Sequence, residues 1–444
     1  MTHGSMGDKL IMFALPVAAT ALLEQLFNAT DIAVLGRYVG TSAVAAVGNN
    51  FAIIGMYICL FIGLSLGSNV VIAKLLGAKQ ISSVKEAVHT SLVVGCIVGV
   101  MMCIVGQLVT PYVLEWLSVP MDVLKDAETY MRVYLWGMPF ISIYNFGTAV
   151  FRSNGNTKTP LIGLVLASIV NVVLNIVFVT TMTDGVAGVA LATVLSFVVA
   201  ATYVLGRLYQ SNETIAFRWR LLGINWSLLQ PIVRIGVPAG LQGVVFCLSN
   251  ILIQEAINSL GPDVMAASSI SIAIEMFIFC IIMAFSQGGT TFISQNFGAK
   301  HIRRCIRVTV WSLGLAFFFT IIACGLVMIW AADIAGFFNP DPAVIALCVL
   351  RMTYVVALEP LQVLIDVLAG AMRGYGLSLA PAMLTLLGIC GVRIIWVYTV
   401  FQRDPSFELL MMVYPISWAV AGGLLILLYM YFTRHLLTFL QRNR

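Results

Sequence analysis

Long apolar stretches and short polar segments alternate along the whole chain of 444 residues. Each apolar stretch reaches the roughly 20 residues that an α-helix needs to cross the hydrocarbon core of a bilayer. None of the polar segments is long enough to form a soluble domain of its own. The pattern predicts an all-α membrane protein with twelve transmembrane helices, near residues 10–36, 43–73, 87–110, 128–150, 159–180, 186–206, 232–259, 264–296, 306–331, 345–372, 380–401 and 411–433.

The composition agrees with a chain embedded in a membrane. Hydrophobic residues make up 60% of the sequence and charged residues only 10%, too few to cover the surface of a soluble domain of this size. The four histidines have no metal-ligand spacing, and the sequence contains no G-x-x-x-x-G-K-[ST] phosphate loop. We therefore expect no enzyme activity and no cofactor, and any active transport should draw on an ion gradient.

The basic residues predict the orientation of the chain. With the N-terminus in the cytoplasm, 18 of the 24 lysines and arginines fall on the cytoplasmic side. Arg351 counts among the few on the outer side, and Arg393 lies inside a span. The positive-inside rule then predicts a multi-pass protein of the plasma or inner membrane, with both termini cytoplasmic. This bias also accounts for the net charge of +5, and no nucleic-acid partner is expected.

The two halves of the chain align with each other when the sequence is shifted so that Gly298 falls on Gly77. The alignment needs no net insertion, so the offset between matched residues is constant. The aligned landmarks include Gly77-Ala78-Lys79 with Gly298-Ala299-Lys300, Pro139 with Pro360, and Arg152 with Arg373. An internal repeat of six spans inserts both halves in the same orientation, as two lobes related by an axis along the membrane normal. We predict an N-terminal lobe at 1–206, a cytoplasmic linker at 207–231 and a C-terminal lobe with its tail at 232–444. Arg152 and Arg373 should anchor equivalent helix ends.

Polar side chains interrupt the apolar helices of the N-terminal half. They are Glu24, Asn28 and Asp31 on one face of span 1, Asn171 and Asn175 one turn apart in span 5, and Thr193 in span 6. A carboxylate in hydrocarbon costs at least about 2.5–3.5 kcal/mol on insertion scales, so we expect Asp31 to face a cavity, a partner or a cargo. A carboxylate with amide and hydroxyl groups can hold a proton or Na+. The alternative for the two asparagines is hydrogen bonding between helices.

The C-terminal half carries more acids. We expect Arg393 to pair with Glu359 or Asp366 in span 10, because an unpaired buried charge is costly. Glu275 in span 8 and Glu255 in span 7 would then remain free to bind a cationic cargo. The candidates for substrate binding are Asn28, Gln254, Glu255, Glu275 and Asp366.

Short motifs along essentially the whole chain resemble those of the multidrug and toxic compound extrusion (MATE) family. They read N-A-T-D-I-A-V-L-G-R at 28–37, A-K-L-L-G-A-K-Q at 73–80, F-R-S-N-G-N-T-K-T-P at 151–160, G-V-A-G-V-A-L-A-T at 185–193, S-Q-N-F-G-A-K at 294–300 and A-M-R-G-Y-G-L-S-L-A-P at 371–381. Each motif alone is weak, but together, at these spacings, they are specific. The resemblance implies an efflux transporter of the prokaryotic type.

The resemblance also implies roles for residues of the N-terminal half. Asp31 matches the coupling acid of the family, with Asn171 and Asn175 of span 5 and Thr193 of span 6 around the same cavity. Asn175 stands where relatives carry an aspartate, so this site has one fewer ionisable group. Glu24 is the candidate for supplying the missing charge.

The sequence thus predicts a secondary active antiporter that exports amphipathic or cationic organic compounds by alternating access of two lobes. The coupling ion, H+ or Na+, stays open, because Glu255 and Asp366 do not match the register of the carboxylates in the sodium-coupled branch. Expected partners are small organic substrates and membrane lipid, and the protein should be a monomer. The alternative is a flippase for lipids or lipid-linked oligosaccharides, which would need a more basic cavity. An intramembrane enzyme would need clustered metal-binding aspartates or a His/Asp pair, and neither is found.

Overall fold

A computed structural model describes residues 1–116, 119, 121–212 and 214–442, and these residues form helices joined by short connections, without a strand. Helices suit the apolar sequence because a helix bonds its own backbone N–H and C=O groups where no water is available. The helices are α1 (Gly7–Tyr38), α2 (Thr41–Gly77), α3 (Ile81–Trp116), α4 (Met121–Leu135), α5 (Met138–Ser153), α6 (Lys158–Thr181), α7 (Gly185–Tyr209), α8 (Trp226–Ser259), α9 (Pro262–Gly298), α10 (Ile302–Ile329), α11 (Ala331–Phe338), α12 (Pro342–Tyr354), α13 (Pro360–Gly374), α14 (Leu379–Thr385), α15 (Val392–Ile395), α16 (Phe407–Met411) and α17 (Val413–Arg442).

Within the described ranges, ten helical segments are long and apolar enough to cross a membrane. One of them, Leu379–Val400, combines α14 and α15 with two π-helical turns, Leu386–Gly391 and Trp396–Val400. The remaining two predicted spans, the fourth and the tenth, are each built from two shorter helices, α4 with α5 and α12 with α13. The all-helical prediction is therefore confirmed. Ten of the twelve predicted spans are segments long enough to cross a membrane, and the other two are divided into shorter helices.

Both broken spans contain a proline at the start of their second helix. Pro139 lies in the first turn of α5, and Pro360 is the first residue of α13. Proline has no backbone N–H to donate, and its ring clashes with the carbonyl four residues earlier, so it fits best in the first turn of a helix. The two prolines are separated by the repeat offset, so the break falls at equivalent points of the two halves.

The backbone repeats the same unusual conformations in both halves. Apart from Gly4, every described residue with positive φ has a counterpart at the repeat offset: Gly40 and Gly261, Lys79 and Lys300, Gly155 and Gly376. One hydrogen bond is also repeated. The side chain of Asn69 donates to the carbonyl of Ala149 at 3.2 Å, and the equivalent Thr290 donates to Gly370 at 2.9 Å. These repeated features confirm the internal repeat.

The structure divides into two compact units. The N-terminal unit comprises Ala19–Gly240, and the C-terminal unit comprises Met1–Ala18 with Leu241–Arg444. These units differ from the segments 1–206 and 232–444 predicted from the sequence. The boundary between the units falls inside α1 and inside α8, so each of these helices has one end in the N-terminal unit and the other in the C-terminal unit.

Packing within each unit explains how the two helices are shared. Phe13 of α1 belongs to the core of the C-terminal unit, where its ring meets that of Phe292 at 5.7 Å between centroids. Ile232 of α8 packs in the N-terminal unit. There, a Cβ added to Gly63 of α2 would lie 2.1 Å from the backbone nitrogen of Gly240. Glycine at position 63 therefore permits the close contact of α2 with the first half of α8.

Candidate functional site

Three helices of the N-terminal unit bring Asp31 together with polar groups predicted to surround it. Asp31 lies on α1, Asn171 and Asn175 lie one turn apart on α6, and Thr193 lies on α7. All four side chains are buried, with at most 4% of their surface exposed. In the short turn between α6 and α7, Asp184 caps α7 by accepting hydrogen bonds from two backbone N–H groups of its first turn.

The four side chains form a closed ring of hydrogen bonds. Asn175 Nδ2 donates to Asp31 Oδ1 at 2.7 Å and to Asn171 Oδ1 at 3.1 Å. Asn171 Nδ2 donates to Thr193 Oγ1 at 3.2 Å, and Thr193 Oγ1 donates to Asp31 Oδ2 at 2.8 Å. Each oxygen of the Asp31 carboxylate therefore accepts one bond from a neutral donor.

The direction of these hydrogen bonds shows which protonation state of Asp31 the surrounding groups stabilise. Every bond that reaches Asp31 is donated to it, as a carboxylate requires, since an ionised carboxyl group can only accept. If Asp31 takes up a proton, one of its oxygens becomes a donor and needs an acceptor. Asn175 Oδ1 is buried without a hydrogen-bond partner among the described residues, and a rotated Asn175 amide would present it to Asp31.

Among the described residues, no basic side chain balances the charge of Asp31. The groups that act on it in the described part of the chain are the amides of Asn171 and Asn175 and the hydroxyl of Thr193. A buried carboxylate with neutral partners alone keeps most of the cost of its charge. Binding a cation or a proton would remove that cost.

Glu24 and Asn28 lie outside the ring, unlike the arrangement we expected. Glu24 interacts with the half-buried Arg152 at the end of α5, and Asn28 is exposed. Two turns of helix separate Glu24 from Asp31, so a shared face does not bring the two carboxyl groups together. Arg152, expected to anchor a helix end at the membrane surface, instead has an acidic partner within the unit.

Two tyrosines near Asp31 were missed by the sequence analysis. Tyr130 and Tyr134 of α4 are buried and close enough to Asp31 to interact with it electrostatically. Their rings are stacked on each other at 6.0 Å between centroids. The signal was their spacing of four residues, which places both rings on one face of a helix.

In the C-terminal unit, Glu275 is bound by an arginine. Arg351 Nε and Nη2 donate to the two carboxylate oxygens of Glu275 at 2.9 and 3.1 Å, and Ser271 adds a bond of 2.7 Å. Arg351 is 1% exposed, so counting it among the residues at the outer surface was wrong. The position of an arginine in the sequence does not show whether it is buried at the end of a helix or exposed in a loop. Because Arg351 binds it, Glu275 is not the free acid that we expected.

The expected pairing of Arg393 with Glu359 or Asp366 was also wrong. Arg393 Nη1 donates to Asn250 Oδ1 at 2.7 Å, and its guanidinium lies 4.6 Å from the centre of the Tyr414 ring. Asp366 interacts with Arg373 instead. The separation of Asp366 and Arg393 in the sequence gave no indication of which helix faces would meet.

The two remaining candidates for substrate binding, Gln254 and Glu255, are neighbours on α8, but only one of them lines a cavity. Gln254 lines a cavity of the C-terminal unit and donates to Asn258 at 2.8 Å. The neighbouring Glu255 is exposed and does not line that cavity. Arg373, expected at a helix end near the membrane surface, lies in the last turn of α13 but donates to Gln242 at 2.6 Å.

Comparisons of the sequence with family models and with known proteins all point to one family. The sequence pattern of the MatE family matches residues 16–177 and 238–399, once in each half. The chain is 25% identical over 436 residues to the probable multidrug resistance protein YoeA of Bacillus subtilis, covering 95% of this chain and 92% of the relative. It is 26% identical over 397 residues to the probable multidrug resistance protein NorM of Thermotoga maritima, covering 87% and 84%.

Solved structures share the fold over nearly the whole length. A MATE structure in the bent conformation superposes with a TM-score of 0.89 at 20% identity, covering 99% of this chain and 97% of the other. An outward-facing multidrug resistance transporter of the same family gives a TM-score of 0.90 at 20% identity, covering 98% and 97%. At this identity the likeness concerns the fold.

Proposed function

Because the chain belongs to the MATE family of multidrug efflux transporters, we propose that it is a secondary active antiporter that exports amphipathic organic compounds. The exported compound would leave the cell in exchange for H+ or Na+, by alternating access of the two repeat-related lobes. The site of action would be the plasma or inner membrane, with both termini in the cytoplasm and the monomer as the working unit. The flippase alternative is not favoured, because the curated relatives are multidrug resistance proteins.

The Asp31 ring carries this proposal. Asp31 is buried in a ring with three neutral side chains, two of which donate to it, and among the described residues no basic group acts on it. Such a carboxylate gains most from an exchangeable positive charge. A proton would use the amide of Asn175 as its acceptor. Na+ would use the oxygens of Asp31, Asn171, Asn175 and Thr193, which are the hard ligands that such a cation prefers.

Transport would be coupled to the ion gradient because the cation binds Asp31 with different affinities in the two conformations of the protein. A cation that binds Asp31 more tightly in one conformation shifts the equilibrium by the difference in its binding free energies. Taking up the cation from outside would neutralise Asp31 and favour release of the cargo. Losing the cation to the cytoplasm would restore the charge and allow the next cargo to bind.

The first test is transport by the purified protein in proteoliposomes. A fluorescent cationic dye should accumulate when a proton gradient or a sodium gradient is imposed, and the gradient that drives it identifies the ion. Asp31→Asn keeps the size of the side chain but removes the exchangeable charge, so gradient-driven accumulation should be lost while the protein still folds.

A matched control replaces an acid that caps a helix. Asp184→Asn should retain transport, since asparagine caps a helix as well as aspartate does. Full transport by a folded Asp31→Asn protein would place the coupling site elsewhere, and Glu255, which is not held by an arginine among the described residues, would be the next acid to test.

A further inference from the structure

The segment that joins α7 to α8 carries basic and apolar side chains side by side at the surface of the N-terminal unit. Residues 218–223 read Arg-Trp-Arg-Leu-Leu-Gly and are all exposed, Trp219 by 68% and Leu221 by 55%. Glu213, the acid of this segment, lies outside the described residues. Both α7 and α8 are long and apolar enough to cross a membrane, so the segment between their ends meets the membrane surface.

Contacts with α3 hold this segment at both ends of the exposed run. At its start, Phe217 is buried, and its ring stacks on that of His89 at 6.1 Å between centroids. The backbone N–H of Arg218 donates to His89 Nε2 at 3.0 Å. Beyond the run, the backbone N–H of Asn225 donates to Thr90 Oγ1 at 3.0 Å. The exposed run is therefore a preformed surface that is fixed to a membrane-crossing helix.

The guanidinium of Arg218 is held by one of its nitrogens. Nη1 donates to the carbonyl oxygens of Tyr209 at 2.6 Å and of Phe217 at 3.1 Å, and the central carbon lies 5.0 Å from the centre of the Tyr209 ring. Within the described part of the chain, Nε and Nη2 are left without an acceptor. Two neighbouring N–H groups of an arginine match two oxygens of one phosphate. Arg218 therefore presents a preorganised fork for a phosphate group.

Trp219 is held by an aromatic contact although most of its surface is exposed. Its ring packs edge-to-face on the Phe217 ring at 4.8 Å between centroids. The 3₁₀ turn Trp219–Leu221 places Trp219 and Leu222, three residues apart, on one side of the chain, and Leu222 is 41% exposed. Tryptophan is enriched where a membrane meets water, because its amphipathic ring suits the headgroup level. The two side chains therefore offer an apolar surface that suits a lipid.

We propose that the linker face, defined by Arg218, Trp219, Arg220 and Leu222, binds an anionic phospholipid. The Arg218 fork takes the phosphate, and Trp219 and Leu222 contact the glycerol and the upper part of the acyl chains. Arg220, which is exposed, adds a second positive charge. Phosphatidylcholine would bring a positive choline group to these arginines, whereas phosphatidylglycerol has only its negative charge, so the anionic lipid is the better match.

The proposal goes beyond the antiporter, because it concerns the attachment of the N-terminal unit to lipid. It takes from the proposed function only the orientation that places the linker at the cytoplasmic leaflet, where anionic lipids create a negative surface potential. Both leaflets of a nanodisc have the same composition, so binding can be measured without transport and in either orientation. Binding without gradient-driven efflux would contradict the antiporter alone. Efflux without a preference for anionic lipid at this face would contradict the lipid site alone.

The test measures quenching of Trp219 by brominated lipids in the full-length protein. Nanodiscs of phosphatidylcholine receive increasing fractions of phosphatidylglycerol or phosphatidylcholine with brominated acyl chains. The chain has eight tryptophans, so the Trp219 signal is the emission that is lost in Trp219→Phe, measured in parallel. Half of this signal should be quenched at a fraction of brominated phosphatidylglycerol at least about fivefold lower than that of brominated phosphatidylcholine. This is the factor expected from the attraction of one arginine to an anionic surface.

Two variants test the fork of Arg218, each measured with its own Trp219→Phe counterpart. Arg218→Gln should raise the half-quenching fraction of brominated phosphatidylglycerol by about fivefold and leave that of brominated phosphatidylcholine unchanged. Arg218→Lys keeps the charge and loses the fork, so it should fall between the two. Arg303→Gln is the matched control, because Arg303 is an exposed arginine in the first turn of α10, in the C-terminal unit. It should leave the Trp219 signal unchanged.

A further variant addresses the case in which Arg218→Gln does not fold. Arg220→Gln changes only an exposed side chain, and it should raise the half-quenching fraction of brominated phosphatidylglycerol severalfold. Equal quenching by the two brominated lipids would overturn the proposal, as would a folded Arg218→Gln or Arg220→Gln variant that responds as the original protein does. Equal losses in Arg220→Gln and Arg303→Gln would also overturn it, because they would show a general attraction of basic residues. Relief of the quenching by soluble glycerol 3-phosphate would identify a site for free phosphate compounds and overturn the lipid assignment.

Discussion

Asp31 and Glu275 are both acids on long apolar helices, one in each unit, and their surroundings differ in kind. Asp31 accepts hydrogen bonds from Asn175 and Thr193, which are neutral, whereas Glu275 is paired with Arg351. The repeat explains where this difference arises. At the repeat offset, Arg351 corresponds to Tyr130, which lies near Asp31.

A second pair of equivalent positions also differs between the two sites. Thr193, which donates to Asp31, corresponds to Tyr414, which lies against Arg393 and Arg351. Two copies of one six-helix pattern thus support a ring of small polar groups in one unit and a cavity with four charged residues in the other. The same fold therefore surrounds its buried acid with neutral donors in the N-terminal unit and with a basic partner in the C-terminal unit.

The largest effect is expected from breaking the ion pair of the C-terminal unit. Arg351→Met leaves the Glu275 carboxylate buried without its counter-charge, which typically costs about 3–5 kcal/mol in the free energy of unfolding. Thermal unfolding of the protein in nanodiscs should show a large loss of stability. Removing both charges with Glu275→Leu and Arg351→Met together should restore much of it, because no uncompensated charge remains.

An exposed ion pair provides the control for this prediction. Glu128 and Arg132 form a pair one turn apart on α4, with 36% and 43% of their side chains exposed. Glu128→Gln should cost less than about 1 kcal/mol, since water screens such pairs. If Arg351→Met proved as mild as Glu128→Gln, the pair would contribute nothing specific to the C-terminal unit.

The fold could be predicted from the sequence more completely than the sites. The twelve spans follow from apolar length, and the repeat follows from landmarks such as Pro139 and Pro360, because both signals lie along the chain itself. The partners of Arg351 and Arg393 depend on which helix faces meet, and no spacing records that. The sharing of α1 and α8 between the units also left no signal, because a continuous apolar helix does not show which core each of its ends joins.

The Asp31 ring was the part of the site that sequence reasoning could reach. Asn171 and Asn175 are one turn apart, so one contact of α6 with Asp31 brings in both amides. The prediction that Thr193 lies beside Asp31 came from the family resemblance. Glu24 was misplaced because residues seven apart share a face but lie about 10 Å apart along the helix.

A second prediction concerns the donors that hold Asp31. Thr193→Val removes the hydroxyl that donates to Asp31 Oδ2 and leaves that oxygen without its bond. An unsatisfied buried acceptor costs about 1–3 kcal/mol, and the coupled transport rate in proteoliposomes should fall. Thr180→Val is the control, since the hydroxyl of Thr180 bonds only to backbone carbonyls of its own helix on an exposed surface. Equal transport by both variants would show that the hydroxyl of Thr193 does not act on Asp31.

A third prediction tests the packing that differs between the repeats. Gly370 of α13 corresponds to Ala149 of α5. A Cβ at Gly370 would lie 2.6 Å from Ser286 Oγ and 2.8 Å from Thr290 Oγ1, so alanine cannot be accommodated there without a shift. Gly370→Ala should reduce stability by about 1–2 kcal/mol, within the range for an overpacked core.

Gly314 provides the control for this substitution. It lies in the middle of α10, where an added Cβ meets nothing within 4 Å. Gly314→Ala should be neutral or slightly stabilising, because alanine is the better helix former. A stabilising Gly370→Ala would mean that α9 and α13 are less closely packed than the structure has them.

The smallest effect is expected where the two halves are most alike. Lys79 and Lys300 lie two residues beyond the ends of the equivalent helices α2 and α9, with φ of 58° and 59°, a left-handed conformation that glycine adopts without strain. Lys79→Gly and Lys300→Gly should each stabilise the protein by less than about 1 kcal/mol, because the relief of about 1–2 kcal/mol of strain is partly offset by the larger entropy that glycine loses on folding. The two shifts in unfolding temperature should be equal within error, because the repeat gives both lysines the same backbone. Different shifts would show that the helix ends, like the buried sites, have diverged between the halves.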